Sequence, residues 1–275
     1  MIMRTDYSVC MSVYKNDNPT EFKEAVLSIC NQTCPPDEII LVIDGPVSDI
    51  MLKTIEILSE KTGIMKVIPL PKNMGHAIAR QTGLEAARNE LCAVMDADDL
   101  SVPNRFEKQL KAFEKHPEVS VVGGLINEFI HTTDNVVGTR IVPEKDSDIK
   151  EYLKSRCPMN LVTVMLKKSD VLKVGGYQDW YCEEDYYLWI RLALGGYKFY
   201  NIQENLVNVR VGEEMYQRRG GKKYFDSEAR LQKYMLDHKL ISLPKYAYNV
   251  LIRWAVQVAM PNWLRGWVFR TFARN

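Results

Sequence analysis

Residues 91 to 99 read Leu-Cys-Ala-Val-Met-Asp-Ala-Asp-Asp. An apolar run with the length and composition of a strand covered on both faces ends in three carboxylates. Pro103 stands near the start of the next helical pattern, Phe106-Leu110-Phe113, so the chain turns just beyond the acids. Asp96, Asp98 and Asp99 therefore crowd the carboxyl end of an interior strand, the edge at which open α/β sheets bind ligands. Like charges this close repel unless a cation, hydrogen bonds or water offsets them. Asp96 and Asp98 have the spacing to present oxygens to one hard divalent cation, and Mg²⁺ usually takes one or two protein carboxylates and shares its other positions with phosphates. The same acids also suit a polar turn capping the next helix, and the stretch alone leaves both readings open.

Working outward, the preceding chain alternates apolar runs with helical spacing, as in a mostly parallel sheet with helices on both faces. Strands are expected at Tyr7 to Val13, Glu38 to Ile43 and Met65 to Leu70. Helices are expected over Glu21 to Asn31, Ile50 to Lys61 and from Asn73-Met74-Gly75 onward. Ile50, Ile57 and Leu58 would face inward in the second helix, and Ile78, Thr82 and Ala86 would pack on the sheet in the third. Right-handed crossovers gather the ends after Val13, Ile43, Leu70 and Met95 on one edge. Beyond the acidic stretch, Val119 to Gly123, Leu125 to Ile130, Val136 to Val142 and Leu161 to Leu166 read as strands, and Asp146 to Lys154 as a short helix.

The loops on the shared edge carry binding chemistry. Tyr14 offers an aromatic face to a base and Asp44 an acceptor to a ring N–H, although each is also an ordinary strand-end or turn residue. Asn73 to Gly75 open a helix, where anionic groups are favoured, and Arg80 lies about a turn and a half further on, where a surface charge is equally open. No Gly-x-Gly-x-x-Gly follows the first strand and no P-loop motif occurs, which removes the main support for dinucleotide and P-loop readings.

A formal net charge of +1 argues against bulk affinity for nucleic acid, and 46% hydrophobic content over 275 residues supports one large domain with or without an appendage. The cysteines Cys10, Cys30, Cys34, Cys92, Cys157 and Cys182 show neither a CxxC nor histidines at zinc spacing, as expected of reduced thiols in a cytosolic protein. The first residues do not read as a signal peptide.

The succession Ser12-Val13-Tyr14, Asp44-Gly45, Asn73-x-Gly75, Arg80-x-x-Gly83 and Asp96-Ala97-Asp98-Asp99 resembles the family 2 glycosyltransferases of the GT-A fold, inverting enzymes that use nucleotide-diphosphate sugars. The resemblance continues through Gly175-Gly176-Tyr177, Glu184-Asp185-Tyr186-x-Leu188-Trp189 with Arg191-Leu192, and Asn205-Leu206-Val207 leading to Arg210, so it covers about residues 7 to 212. One departure is Ile43-Asp44 before Gly45-Pro46, where the family often has two acids before Gly-Ser; Asp44 is left alone to recognise the base.

The resemblance implies a Rossmann-like α/β/α sandwich over residues 1 to 212, nucleotide-sugar-binding over 1 to 100 and acceptor-binding over 101 to 212, with a helical appendage over 213 to 275. It implies donor contacts from Val13, Tyr14, Asp44, Asn73, Gly75, Arg80, Asp96, Ala97, Asp98 and Arg210, with Tyr14 and Asp44 on uracil. Asp96 would bond the ribose or join Asp98 as a metal ligand, Asp98 would coordinate Mn²⁺ or Mg²⁺ bridging the donor diphosphate, Asp99 would cap a helix, and Asp185 beside Glu184 would be the general base. Glu183-Glu184-Asp185 also reads as the charged first turn of a helix over Tyr186 to Leu194, and the acids can serve both purposes. Tyr186, Tyr187 and Trp189 alternate around that helix, so one or two should face the core while another could stack on an acceptor sugar, and Trp180 and Tyr181 are equally candidate sugar faces.

The last quarter changes character. Arg210, Arg218, Arg219, Lys222 and Lys223 cluster around Gly220-Gly221, as a basic loop able to close over a diphosphate or as a solvated charged loop. From Lys239 to Asn275 there are six cations and no acid, interspersed with Trp254, Trp263, Trp267, Phe269 and Phe272. That mixture suits helices in an anionic membrane interface, or helices packed on the catalytic domain; Ala255 to Met260 is too short to span a bilayer. The expectation is a cytoplasmic enzyme, peripheral on the inner face of the cell membrane. It would move a hexose, galactose or glucose, from a UDP-sugar to a polyprenyl-diphosphate-linked saccharide for O-antigen or capsule. Two competitors stand beside it: a Mg²⁺ phosphotransferase, which leaves Glu184-Asp185 without a role, and a non-catalytic nucleotide-sugar-binding or membrane scaffold protein.

Overall fold

A computed structural model of the protein describes residues 6–212 and 221–259. β1 (Tyr7–Val13), β2 (Glu38–Ile43), β3 (Met65–Pro69) and β4 (Leu91–Val94) form the parallel half of a nine-stranded sheet among the described residues. β2 is buried at every position, as its unbroken Ile-Ile-Leu-Val-Ile run requires of a strand covered on both faces. The remaining strands are β5 (Leu100–Ser101), β6 (Val119–Phe129), β7 (Val136–Arg140), β8 (Met165–Lys167) and β9 (Lys198–Arg210). The order is β3-β2-β1-β4-β8-β6-β9-β5, with β7 on β6. β8 runs antiparallel between β4 and β6, so the parallel pattern stops where the acidic strand meets the second half of the chain.

β6 is one continuous strand where two were expected. Gly123 and Gly124 do not break it; they let β9 approach, since a Cβ on Gly123 would lie 2.5 Å from Asn201 Oδ1 and one on Gly124 2.4 Å from Leu206. The expected strand over Leu161 to Leu166 is instead a 3₁₀ turn, Leu161–Thr163, followed by β8.

α1 (Pro19–Cys30) starts where Asn18 accepts the Thr20 N–H and Pro19 takes the first position. α2 (Asp49–Thr62) is capped by Ser48 and closed by Gly63 at φ 65°. Its inner stripe is Met51, Ile55 and Leu58; Ile50 is 70% exposed and Ile57 53%, which corrects the expected inward pair. One residue along a helix is a 100° turn, and that places Ile50 and Ile57 off the stripe. In α3 (His76–Ala86) the buried residues are Ala77, Ala79, Gly83 and Leu84, not Ile78 and Thr82, while Ala86 packs at the margin of the core.

α4 (Arg105–Lys115) joins α1 and α2 on one face of the sheet, where Phe22, Val26 and Phe106 are fully covered. α5 (Asp146–Leu153), α6 (Lys168–Lys173) and α7 (Glu184–Leu194) contribute to the other face with Leu188, Trp189 and Ile190. α8 (Lys222–Asp237) belongs to that second core through Leu231 and Met235.

α9 (Leu243–Trp254), continued by a π-helical turn over Ala255–Ala259, is inverted in its amphipathicity. Its inward side carries Asn249 and Arg253 beside Tyr246, which packs at the margin of the second core. Asn249 donates to Lys154 O and Gln232 Oε1, both at 2.8 Å, and Arg253 donates to Ser155 O at 2.6 Å and pairs with Glu228 at 3.2 Å. Leu243, Tyr248, Leu251, Trp254 and Val258 are exposed. Among the described residues no helix is long and apolar enough to cross a membrane. Arg218, Arg219 and Gly220 of the expected basic loop, and Trp263, Trp267, Phe269 and Phe272 of the tail, lie outside the described residues. Lys222 and Lys223 are not loop residues: they open α8, where Lys222 pairs with Asp226 at 2.7 Å and Lys223 lies 3.9 Å from the Tyr181 ring centroid.

Candidate active site

The acidic loop is held from both ends. β4 delivers it, with the Met95 N–H donating to Cys10 O at 3.1 Å, and β5 receives it by pairing antiparallel with the end of β9. That pairing brings Arg210 to the acids: its backbone N–H donates to Asp99 Oδ1 at 2.9 Å and its Nε to Asp98 O at 3.2 Å. Asp99 is buried and accepts from β9, so it does not cap α4, whose N-cap position is Asn104. The Arg210 guanidinium continues to Glu24 at 2.8 Å and Glu21 at 3.5 Å and packs on the Phe129 ring. Asp98 is exposed at the mouth of the loop. Restricted hydration in the cleft, and then the neighbouring Asp96 charge, lift its carboxyl to about 6.

Three further loops reach the same edge. The Tyr14 N–H donates to Asp17 Oδ2 at 2.9 Å, closing a turn directly after β1. Burial raises Asp17 to about 6, with Asp98, Asp96 and Glu21 adding to the effect, so Asp17 belongs to the same electrostatic neighbourhood. Asp44 is buried, and its two carboxylate oxygens accept the Met74 and Gly75 N–H groups at 2.6 and 3.0 Å. The donors that a free helix N-terminus would offer an anion are thus partly engaged by Asp44, which leaves the second lone pair on each oxygen for a ligand. Val13 O accepts the Asp44 N–H at 2.7 Å, Asn73 donates to Asp44 O at 3.3 Å, and the Tyr14 ring stands edge-on to His76.

Arg80 is not a surface charge. Its side chain is 11% exposed and it bridges Asp96 Oδ1 at 3.2 Å and Glu184 Oε1 at 2.5 Å. Burial opposes its charge, but Asp96 and Glu184 outweigh that and hold the guanidinium more firmly protonated than usual. Asp185 follows Glu184 in the first turn of α7; its Oδ1 accepts the Tyr186 N–H at 2.7 Å and its Oδ2 the Cys157 thiol at 3.7 Å. Burial first and the Glu184 charge second raise the Asp185 carboxyl above its ordinary value. Of the aromatic candidates, Tyr186 and Trp189 are core, and Trp180 is occupied by Tyr187 at 4.4 Å and Arg230 at 4.2 Å. Tyr181 is the exposed one.

Known proteins match this chain both in sequence and in fold. The model of glycosyl transferase family 2 matches residues 8–172, and that of glycosyl transferase family group 2 matches residues 91–272. The chain belongs to glycosyl transferase family 2. It is 34% identical over 98% of its length to the Escherichia coli UDP-Gal:alpha-D-GlcNAc-diphosphoundecaprenol beta-1,3-galactosyltransferase, covering 97% of that enzyme. It is also 34% identical over 90% of its length to the amylovoran biosynthesis glycosyltransferase AmsE of Erwinia amylovora, covering 92% of it. Among solved structures, the mannosyltransferase PcManGT from Pyrobaculum calidifontis, in complex with GDP-Man and Mn²⁺, superposes with a TM-score of 0.63 at 16% identity, over 98% of this chain and 80% of that one. The sheet and its flanking helices are the GT-A fold.

In this family 2 transferase the donor set for a cation is small. Among the described residues no three His, Cys, Asp or Glu side chains form a cage. Asp96, 37% exposed, and Asp98 leave an open two-carboxylate edge, which fits Mg²⁺ or Mn²⁺ because such ions complete their shells with water and phosphate. Sequence reasoning missed Asp17, Cys157 and Glu24. Asp17 had a signal, the Tyr14-x-x-Asp17 turn. Cys157 and Glu24 had none, since their relevance depends only on which residues tertiary packing sets beside them.

Proposed function

We propose that this glycosyltransferase moves a hexose, galactose or glucose, from a UDP-sugar onto a polyprenyl-diphosphate-linked saccharide in surface polysaccharide synthesis. The observation that carries the reading is Arg80, which joins Asp96 of the acidic loop to Glu184 of the acceptor-side motif. The galactosyltransferase and amylovoran relatives support the donor class, the lipid-linked acceptor and the polysaccharide product.

In this reading residues 1 to 100 bind the donor and 101 to 212 the acceptor. Tyr14 stacks on uracil and Asp44 accepts its ring N–H. Asn73, Gly75 and Arg210 line the diphosphate side, with the backbone of Val13 and Ala97 beneath. Asp96 and Asp98 hold Mn²⁺ or Mg²⁺, whose chemistry when bound is to neutralise charge on the departing diphosphate. Asp185 takes the proton of the acceptor hydroxyl as that oxygen bonds to the anomeric carbon. The bond from that carbon to the phosphate oxygen breaks on the opposite face, its electron pair leaving with UDP, so configuration inverts. Arg80 fixes Glu184 and, through it, the start of α7.

The outward apolar face of α9, followed in sequence by a tail without acids, supports peripheral attachment to an anionic membrane at the cytoplasmic face. The deciding experiment is a panel of UDP- and GDP-sugars with a synthetic lipid-diphosphate saccharide as acceptor, scored for nucleotide release with and without Mn²⁺. Acceptor-dependent UDP release, lost on chelation, supports the reading and names the donor sugar. UDP binding with no release across the panel would replace it with a binding-protein role.

A further inference from the structure

Arg105 opens α4 with no exposed surface at all, 0%. Its five N–H donors are all used, and none of the acceptors is a carboxylate. Nε donates to Gln109 Oε1 at 3.1 Å, Nη1 to Ser101 Oγ at 3.0 Å and Met95 Sδ at 3.2 Å, and Nη2 to Val94 O at 2.8 Å and Val164 O at 3.4 Å. Burying a charge without a contacting counter-ion costs several kcal/mol, so packing alone favours Leu or Met here.

The acceptors explain the charge. Val94 and Met95 are the last residues before the acidic loop, and Ser101 is in the strand that receives it. One planar group therefore closes the loop of residues 96 to 99 from inside the fold, at both its entry and its exit. Burial draws the guanidinium down to about 9, against the opposing influence of Tyr7, Asp99 and Asp96, so it remains cationic at neutral pH. Asp99 and Asp96 of the loop are among the groups it answers at longer range.

We propose that Arg105 is a positioning residue for the metal-binding carboxylates: it clamps both ends of the loop carrying Asp96 and Asp98 and sets the conformation in which they meet a divalent cation. This rests on the metal reading of those two residues. The clamp differs from Arg80 and Arg210, which touch the acidic loop from the cleft side; Arg105 touches no ligand and acts only through the backbone and the side chains that bracket the loop.

The test is calorimetric titration of Mn²⁺ into the full chain at saturating UDP, paired with thermal melting in EDTA. The variants are Arg105→Lys, Arg105→Met, Ser101→Ala, Gln109→Leu and Asp98→Ala. Loss of a group that orients metal ligands costs about 10- to 100-fold in metal affinity, and that is the expected range for Arg105→Met, with Arg105→Lys and Ser101→Ala weakened less. Gln109→Leu removes an equally buried partner of Arg105 that does not touch the loop, so it should lower the melting temperature while Mn²⁺ affinity stays at the wild-type value. Wild-type Mn²⁺ affinity in Arg105→Met overturns the proposal. If that variant does not fold, wild-type affinity in both Arg105→Lys and Ser101→Ala overturns it instead. Equal loss of affinity in Gln109→Leu also overturns it, since the effect would then be general softening of the core. Wild-type chain that takes up no Mn²⁺, or Asp98→Ala that binds like wild type, overturns the metal reading itself and this proposal with it.

Discussion

Arg80 donates to Glu184 at 2.5 Å and to Asp96 at 3.2 Å, so a single buried guanidinium joins the carboxyl end of β4 to the first turn of α7. These two elements lie far apart in sequence, and in the proposed function one carries the metal-binding carboxylates and the other the proton acceptor. Removing one partner of a buried pair costs about 3 to 5 kcal/mol, with the greater share on the Glu184 side because Asp96 is partly hydrated. Arg80→Ala should lower the melting temperature and reduce transfer by at least about 100-fold. Arg80→Lys, which cannot span both carboxylates, should be intermediate. Calorimetry and initial rates check both.

Asp185→Asn should abolish transfer while leaving metal-dependent UDP binding largely intact, since it removes a proton acceptor and little else; a loss of about 10² to 10⁴ in rate is expected of a general base. Asp98→Ala should weaken UDP binding and transfer together. Equal loss of UDP binding in the two variants would contradict the separate roles.

Gly45 sits at φ 85°, and a Cβ there would lie 2.4 Å from the Asn73 backbone nitrogen. Gly45→Ala must therefore displace the Asn73 loop or the turn after β2, both of which Asp44 ties together. UDP affinity should fall by about tenfold with little change in the Asp185-dependent step. A titration of UDP fluorescence quenching, set beside kcat at saturating donor, separates the two.

The raised carboxyls predict a pH signature. Asp17 and Asp98 titrate at about 6, above the ordinary carboxylate range, so between about pH 4 and 6 the folded chain holds protons that the unfolded chain has released. Their contribution to stability is consequently present at the acid end of that window and lost as pH rises through it. Asp98→Asn removes the penalty, so in EDTA its melting temperature should exceed wild type by more at pH 7.5 than at pH 5. A difference that is flat or reversed in sign would count against the assignment.

The exposed face of α9 should bind vesicles. Replacing Leu251 and Trp254 together by Glu should reduce co-sedimentation with vesicles of anionic lipid and leave transfer to a water-soluble acceptor analogue unchanged, because neither residue reaches the cleft. The polar side of the same helix, Asn249 and Arg253, gives the opposite expectation. Its loss should destabilise the fold without a specific effect on vesicle binding.

Much of the fold, and the edge that gathers the candidate site, is legible in the sequence for identifiable reasons. β1 and β2 occupy the expected residues because a run of buried residues bounded by polar turns is a local property. Arg80 and Glu184 belong to two separate motifs, and nothing in either motif states that they touch. Asp44 reads from sequence as an acceptor for a base N–H or as a turn residue, and only the folded chain shows its oxygens accepting the Met74 and Gly75 N–H groups. In α2 and α3 the period of apolar residues revealed a helix but not which neighbouring stripe turns inward, because the sheet on which they pack makes that choice.

The order of apolar runs, turns and carboxylates by itself determined the parallel strands of the first half and the edge on which their loops gather, and the motifs on that edge carried the resemblance to the family. Tertiary structure alone decided that β8 enters antiparallel beside β4, that Arg105 closes the acidic loop from within, and that α9 turns its polar side inward. Strand periodicity and turn chemistry are written in residues a few positions apart, whereas an ion pair, a sheet neighbour or the inner face of a helix is set by residues tens of positions away. Those residues are brought together only when the whole core closes.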